Sequence, residues 1–373
     1  MQRLSVLLVS TSYPRDSTDW RARFIADMVE ALAARDDLQL ALWSPPGEIP
    51  PSVQSALTSA EAQFLKRMSD AGGIAHLLRE SKTTAIQYVT RLLSGLRRSY
   101  RQSDCDILHI NWLQNAIPLP RDDRPVLITV LGSDYRLLKI PGMPMLLRWV
   151  LRGRPVHIAP NADWMTPWLT ELFGDFAVVR AIPFGIEQSW YSIKREQSAY
   201  ASGQWLAVTR VTRGKIGQLF EWGANVFSGD KSLHLLGPRQ EHDYAIPSWI
   251  HYHGPTFPAS LKSEWFPNCA GLISLSQHDE GRPQVMLEAM AAGLPIIASD
   301  LPAHRDIIRH GETGFLVSSQ EELQKALEHL SDPSTNRRFG DAARAVAIER
   351  YGTWQDCAER YMTAYRTLTD NSA

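Results

Sequence analysis

Apolar residues in this chain gather into short continuous runs separated by longer, helix-like segments. In the first half the runs are 4–10 (LSVLLVS), 38–43 (LQLALW), 106–110 (DILHI), 126–131 (VLITVL), 156–159 (VHIA) and 178–182 (VVRAI). In the second they are 205–209 (WLAVT), 233–237 (LHLLG), 250–253 (IHYH), 271–275 (GLISL), 295–299 (PIIAS) and 314–317 (GFLV). Runs of this length, alternating with helical stretches, predict parallel strands covered on both faces. Each half has the strand count of one doubly wound unit, so the expected class is α/β with two Rossmann-like domains. A turn at Phe184-Gly185-Ile186-Glu187 and the polar stretch 193–203 place the linker near 184–203.

Composition agrees with two domains and narrows the partners. The chain has 373 residues, 44% of them hydrophobic, which fits two domains and excludes global disorder. A net charge of −1 gives no whole-chain basic excess for nucleic acid. Three scattered cysteines suit neither a disulfide framework nor a zinc site, and fit a reducing compartment. The first apolar run reads as a buried strand, not a signal peptide, and no run reaches the ~18 apolar residues a spanning helix needs. A cytoplasmic protein is expected, at most peripheral at the inner face of a membrane. Segment 135–162 carries Arg136, Lys139, Arg148, Arg152 and Arg154 with no acid, around an apolar stretch from Ile140 to Leu147. Segment 87–101 reads as a helix with Arg91, Arg97, Arg98 and Arg101. Both read either as solvated helix faces or as a surface for anionic lipid or an anionic acceptor.

Candidate chemistry concentrates between 205 and 317. After the run 271–275 comes a loop, His278-Asp279-Glu280-Gly281-Arg282, and then a helix with Pro283 at its first position and Gly293 at its end. Arg282 is a poor N-cap, so the early N–H groups of Arg282, Gln284, Val285 and Met286 lack an obvious protein acceptor. Orphan donors at a helix start suit a phosphate or sugar hydroxyl. Glu280 in the loop and Glu288 in the second helical turn frame that site with acceptors for sugar hydroxyls. After the run 205–209, Arg210 and Lys215 stand at a strand end and in a Gly-containing turn, as a fork and a point charge suited to a diphosphate. No role is assigned to His304-Arg305-Asp306.

These residues resemble the retaining glycosyltransferases of family four, which have the GT-B fold. Glu280 and Glu288 match the family's Glu, seven residues, Glu motif within EGRPQVMLEAMAAGLP, and Arg210 and Lys215 keep its Arg–Lys spacing. The tail Gly311–Val317 is similar as well. The resemblance implies that Arg210 and Lys215 hold the donor diphosphate and neutralise it as it leaves. It implies that Glu288 binds the ribose, and that Glu280 with the backbone of Gly281, Arg282, Pro283, Gln284 and Val285 holds the donor sugar. It further implies an acceptor domain over 1–185 and a nucleotide-sugar domain over 186–352, facing one another across a cleft. A final helix over 353–373 would return to the first domain.

The first half resembles the family more loosely. Asp106–Asn111 matches Asp-x-x-His-x-His with Asn111 for the second His, and Thr129–Asp134 matches Thr-Val-His-Gly-x-Asp with Leu131 for the His. The Gly-Gly loop after the first strand is replaced by Tyr13–Arg23, where Arg15, Arg21 or Arg23 could supply charge. Arg15, Trp20, His109, Asn111 and Asp134 are the candidates for acceptor or donor-sugar contact. The implied activity is metal-independent, cofactor-free transfer of a sugar, with retention, from a nucleotide diphosphate-sugar to a glycan, lipid-linked or small-molecule acceptor. Its rivals are a non-catalytic sugar-nucleotide-binding subunit and a nucleotide-sugar epimerase of the same fold.

Overall fold

A computed structural model of the chain describes residues 3–72, 82–278 and 280–370. The chain divides into two compact units, Met1–Phe184 with Trp354–Ala373 (unit 1) and Gly185–Thr353 (unit 2).

Unit 1 is built on seven strands: β1 Leu4–Val9, β2 Leu38–Trp43, β3 Gln54–Ser55, β4 Ile107–Asn111, β5 Val126–Val130, β6 Val156–Pro160 and β7 Val178–Val179. Their order is β3-β2-β1-β4-β5-β6-β7, and every pairing is parallel. Every residue of β4, β5 and β6 is buried, which is why these strands show no polar alternation. Along β1 the pleat sends Val6 and Leu8 into one core and Leu7 and Val9 into another on the opposite face. The helix Trp354–Asp370 covers the first of these cores with Trp354, Tyr361, Met362 and Tyr365, beside the helix Arg23–Ala33.

Unit 2 repeats the plan with six strands: β8 Gln204–Val208, β9 Ser232–Leu236, β10 His251–Gly254, β11 Gly271–Ser274, β12 Ile296–Ser299 and β13 Gly314–Val317. Their order is β10-β9-β8-β11-β12-β13, again all parallel. Leu206, Leu272 and Ile296 face one core, and Trp205, Ile273 and Ile297 the other. The direction of winding reverses between β1 and β4 in unit 1 and between β8 and β11 in unit 2. Open parallel sheets bind ligands beyond the carboxyl ends of the strands at such reversals. Two doubly wound Rossmann-like units of this order are the GT-B fold class.

Two details of the sequence reading change. The run 178–182 yields only the two-residue edge strand β7, and the exposed polar pair of β3 adds an edge strand that no apolar run announces. The basic segments are also less bare than their composition implies. Arg148 and Arg152 both pair with Asp175, and the buried Arg154 pairs with Asp122. On the helix Lys82–Gln102, Arg98 pairs with Glu61, Arg97 donates to the carbonyls of Pro118 and Leu119, and Arg91 lies over the Phe64 ring. Three of the helix's four arginines thus have contacts within the protein, while Arg91, Arg97 and Arg101 remain exposed. Among the described residues, no helix is long and apolar enough to cross a membrane.

Candidate active site

The strand ends of unit 2 are stitched together by close backbone approaches. Beyond β8, Thr212 caps the one-turn helix Arg213–Ile216 by accepting from the Lys215 N–H, and Gly217 follows with φ 53°. A Cβ at Gly217 would lie 1.9 Å from the Leu275 carbonyl oxygen, so only glycine lets the β8 loop lie against the end of β11. The Gly214 carbonyl accepts from the Gln277 N–H at 2.8 Å and from Ser276 Oγ at 3.4 Å.

This packing delivers Lys215 to Glu280. Nζ lies 2.5 Å from Oε1, with the two side chains 13% and 15% exposed. Ser276 Oγ also donates to Glu280 Oε1 at 3.2 Å. Burial acts to raise the Glu280 carboxyl, but the charge and hydrogen bond of Lys215 overcome it, and the carboxyl lies below its ordinary value. Burial lowers Lys215, Glu280 opposes this, and the charge of Arg210 adds to the lowering. Arg210, half-buried at the end of β8, reaches Gln240 at 3.5 Å. The pair thus leaves a buried ammonium and carboxylate side by side, with a guanidinium within electrostatic range. Such a group can neutralise a diphosphate and accept from sugar hydroxyls.

A polar chain extends from this pair to β12. Ser299 Oγ donates to the Ser276 carbonyl at 2.5 Å, and the buried His304 holds the Ser299 carbonyl through Nδ1 at 2.8 Å. A donor Nδ1 leaves Nε2 as the acceptor nitrogen of a neutral ring. Burial lowers the His304 pKa, which favours this neutral form. His304 was given no role in the sequence reading. A histidine five residues beyond a strand end, preceded by a serine at that end, was the signal available.

Several side chains of the loop and helix also hold the local structure. The helix runs Gln284–Ala291 with Pro283 as its N-cap rather than its first residue, because ψ of 114° is extended. The Met286 N–H is not orphaned, since it donates to the Pro283 carbonyl at 3.1 Å. The buried Arg282 side chain pairs with Asp306 and lies 4.9 Å from the Tyr351 ring centroid. This side chain fastens the loop to the core. Gln284 donates to the Gly185 carbonyl at 2.9 Å, and Val285 packs against the hydrophobic core. Gly281 is buried, and Glu288 is half-buried on the second turn. Asp279 lies outside the described residues.

In unit 1 the contact candidates are mostly spent within the protein. His109 is fully buried, with Nδ1 at 2.6 Å from the Tyr365 hydroxyl and Nε2 at 2.8 Å from Thr129 Oγ1. Burial pushes its pKa down to about 3. It therefore locks the sheet to the last helix and is not a ligand contact. Asn111 is equally buried and donates to the Val9 carbonyl at 3.2 Å. Asp134 accepts from the N–H groups of Leu113 and Leu131, at 3.1 and 2.9 Å, clamping the loops after β4 and β5. Burial raises it to about 6 against those hydrogen bonds. In the loop after β1, Arg21 pairs with Asp19, Arg23 with Asp27 and Glu30, and Arg15 with Asp70 at 3.7 Å. Those cations are neutralised locally. Trp20 is exposed.

Comparison with known proteins finds a family match within unit 2 and a fold match over the whole chain. Residues 258–346 match the family described as "Glycosyl transferases group 1". The chain is 40% identical over 91 residues to a phosphatidyl-myo-inositol mannosyltransferase of Mycobacterium leprae, covering 24% of each protein. It is 33% identical over 143 residues to spore coat protein SA of Bacillus subtilis, covering 36% of this chain and 35% of that one. The matches thus span about a quarter to a third of these relatives' own lengths. Among solved structures, a sucrose-phosphate synthase from Thermosynechococcus elongatus superposes with a TM-score of 0.72 at 17% identity, over 99% of this chain and 100% of that chain. Anabaena HepE, solved with UDP, superposes with a TM-score of 0.67 at 15% identity, over 99% and 100%. The GT-B fold therefore extends over the whole chain, and the sequence match to glycosyl transferases group 1 lies in unit 2, across the loop and helix that carry Glu280 and Glu288.

Proposed function

We propose that this protein is a retaining glycosyltransferase that takes a sugar from a nucleotide diphosphate-sugar. The observation that carries the reading is the buried Lys215–Glu280 pair beside Arg210, at the point where the sheet of unit 2 reverses its winding. In this reading the donor diphosphate lies against Arg210 and Lys215, whose charges stabilise it as it departs. Glu280 accepts from hydroxyls of the transferred sugar, and Glu288 from the ribose. The reaction needs neither a metal nor a cofactor, because the two cations supply the charge a metal would. Retention follows from attack on the face the leaving group vacates, with the departing phosphate taking the acceptor's proton. The acceptor is a glycan, a lipid-linked glycan or a small molecule. Peripheral contact with an anionic membrane at its cytoplasmic face, made by unit 1, belongs to the same proposal.

The test is a panel of UDP-, GDP- and ADP-sugars. Thermal shift would identify the donor, and transfer to acceptors from cell extract would follow, with the product's anomeric configuration read by NMR. Retention, and activity unchanged within about twofold by EDTA, support the proposal. An inverted product or a strict requirement for magnesium or manganese overturns the corresponding part. Donor binding without turnover favours the sugar-nucleotide-binding subunit, and release of an epimerised sugar-nucleotide without acceptor favours the epimerase.

A further inference from the structure

Ten large hydrophobic side chains are exposed among the described residues, and four of them fall within residues 140–149. They are Ile140 at 50%, Met145 at 75%, Leu146 at 38% and Trp149 at 62%. Their clustering follows from helix geometry. In Met143–Leu151, positions 145, 146 and 149 fall within an arc of about 100°, and the core-facing Leu147 and Leu151 lie on the opposite side. Ile140 precedes the helix in an exposed loop through Pro141 and Gly142, with Gly142 at φ 81°. Water therefore meets an apolar stripe on the helix, with exposed Ile140 in the loop before it, where an amphipathic surface helix would carry polar residues.

Cations surround the ridge. Arg121 lies 4.5 Å from the Trp149 ring centroid, Arg136 and Lys139 are exposed just before the loop, and Arg148 and Arg152 border the apolar arc. From 135 to 162 the chain has no acid. Asp175 balances only the Arg148–Arg152 edge, and Asp122 is engaged by Arg124 and Arg154. The arrangement is an apolar wedge in a basic rim, the complement of an anionic bilayer surface.

We propose that this ridge of unit 1 docks onto an anionic lipid leaflet, with Met145, Leu146, Trp149 and Ile140 entering the acyl boundary and Arg121 and Lys139 facing the headgroups. The inference rests on the peripheral-contact part of the proposed function and is independent of the donor chemistry in unit 2. The acid-free composition alone does not locate such a site, since Arg148, Arg152 and Arg154 pair with acids from outside the segment. The exposed side chains do.

The experiment is flotation of the full chain with phosphatidylcholine vesicles, with and without roughly a third phosphatidylglycerol, at low and high salt. Binding is expected only with the anionic lipid, and weaker at high salt. Met145→Glu and Trp149→Glu should each reduce the bound fraction about tenfold, since each removes apolar burial and adds repulsion. Lys139→Glu should reduce it severalfold, and Ile348→Glu, an exposed apolar site in unit 2, should not. All four positions are exposed, so folding is preserved and is checked by circular dichroism. Nucleotide-sugar binding is read separately by thermal shift, and its survival in the variants distinguishes loss of docking from failure of the donor site. Equal binding to neutral vesicles, or no binding to anionic ones at low salt, overturns the proposal. So does concentration-dependent self-association that Trp149→Glu abolishes without any vesicle binding, which would make the ridge an interface between copies.

Discussion

Both sheets reverse their winding beside their first strand, and both place polar side chains at the strand ends there, but the two units use them differently. In unit 1, His109 is bound by Tyr365 and Thr129, Asp134 by two backbone N–H groups, and the arginines after β1 by neighbouring acids. In unit 2, Lys215 and Glu280 are held against each other by loops from different strands, and Arg210 adds a second cation. A buried polar group satisfied by the fold stabilises that fold. A buried ion pair beside a like charge gains less from folding, and such clusters recur at ligand sites as well as in structural networks. The proposed function makes the strand ends of unit 2 a chemical end, whereas those of unit 1 read as a structural end.

The largest expected effect tests the chemical end. Arg210→Ala and Lys215→Ala should each lower kcat by about 10²–10³-fold, the range for removing one charge-stabilising donor from a transition state. Lys215→Ala also leaves the Glu280 carboxylate buried without its cation, so its melting temperature should fall more than that of Arg210→Ala. Transfer rates within a few-fold of the parent protein for both variants would remove unit 2 from the chemistry.

The residues show why the fold was easier to read than the site. Strands such as β4 and β5 are apolar because both faces are covered, and that property is written locally. The helix start at Pro283 was nearly right, but the side chain of Arg282 was not foreseeable, because its partner Asp306 lies 24 residues on. The Lys215–Glu280 contact likewise depends on how closely Gly217 meets Leu275, a tertiary distance that motif spacing does not contain. The motif nominated the residues of unit 2 that the proposed function uses. In unit 1 a looser motif match nominated His109 and Asp134, and a motif match does not reveal whether a side chain is already satisfied.

A second test asks whether unit 1 is a structural end, through the pH dependence of stability. Asp134 is raised from 3.8 to about 6, so its contribution is complete below about pH 4 and is lost as pH rises through 6. His109 is lowered from 6.5 to about 3, so its contribution is present above 6.5 and is lost as pH falls toward 3. Between about pH 4 and 6 these two slopes oppose each other, one proton each, and cancel. Asp134→Asn removes one of them. Relative to the parent protein, the variant should lose about 1.4 kcal/mol per pH unit as pH falls from 6 to 4, measured by urea unfolding. Parallel pH profiles would show that Asp134 is not held as a buried clamp.

A smaller effect concerns the lock between the sheet and the last helix. Tyr365→Phe removes the hydroxyl facing His109 Nδ1 and should cost about 1–2 kcal/mol of stability. Donor affinity, measured by nucleotide-sugar titration, should be unchanged. A selective loss of donor affinity at full stability would return His109 to the ligand side of the comparison.

The smallest expected change lies within unit 2 and asks how tightly Glu280 must be aimed. Ser276 gives Glu280 its second hydrogen bond, at 3.2 Å, while its Oγ accepts from the His278 N–H at 3.1 Å. Ser299 touches the same residue only through the Ser276 carbonyl. Ser276→Ala leaves the Lys215 pair in place but frees the carboxylate to rotate about it, and a hydrogen bond of this kind is worth about 1 kcal/mol. The expected loss in kcat is therefore about fivefold, with Ser299→Ala nearer to twofold. Because Glu280 is held ionised by Lys215 in every case, the pH profile of transfer should not shift in either variant. A shifted profile would mean that the serines tune the charge of Glu280, whereas a fall in rate at constant profile means that they hold its position.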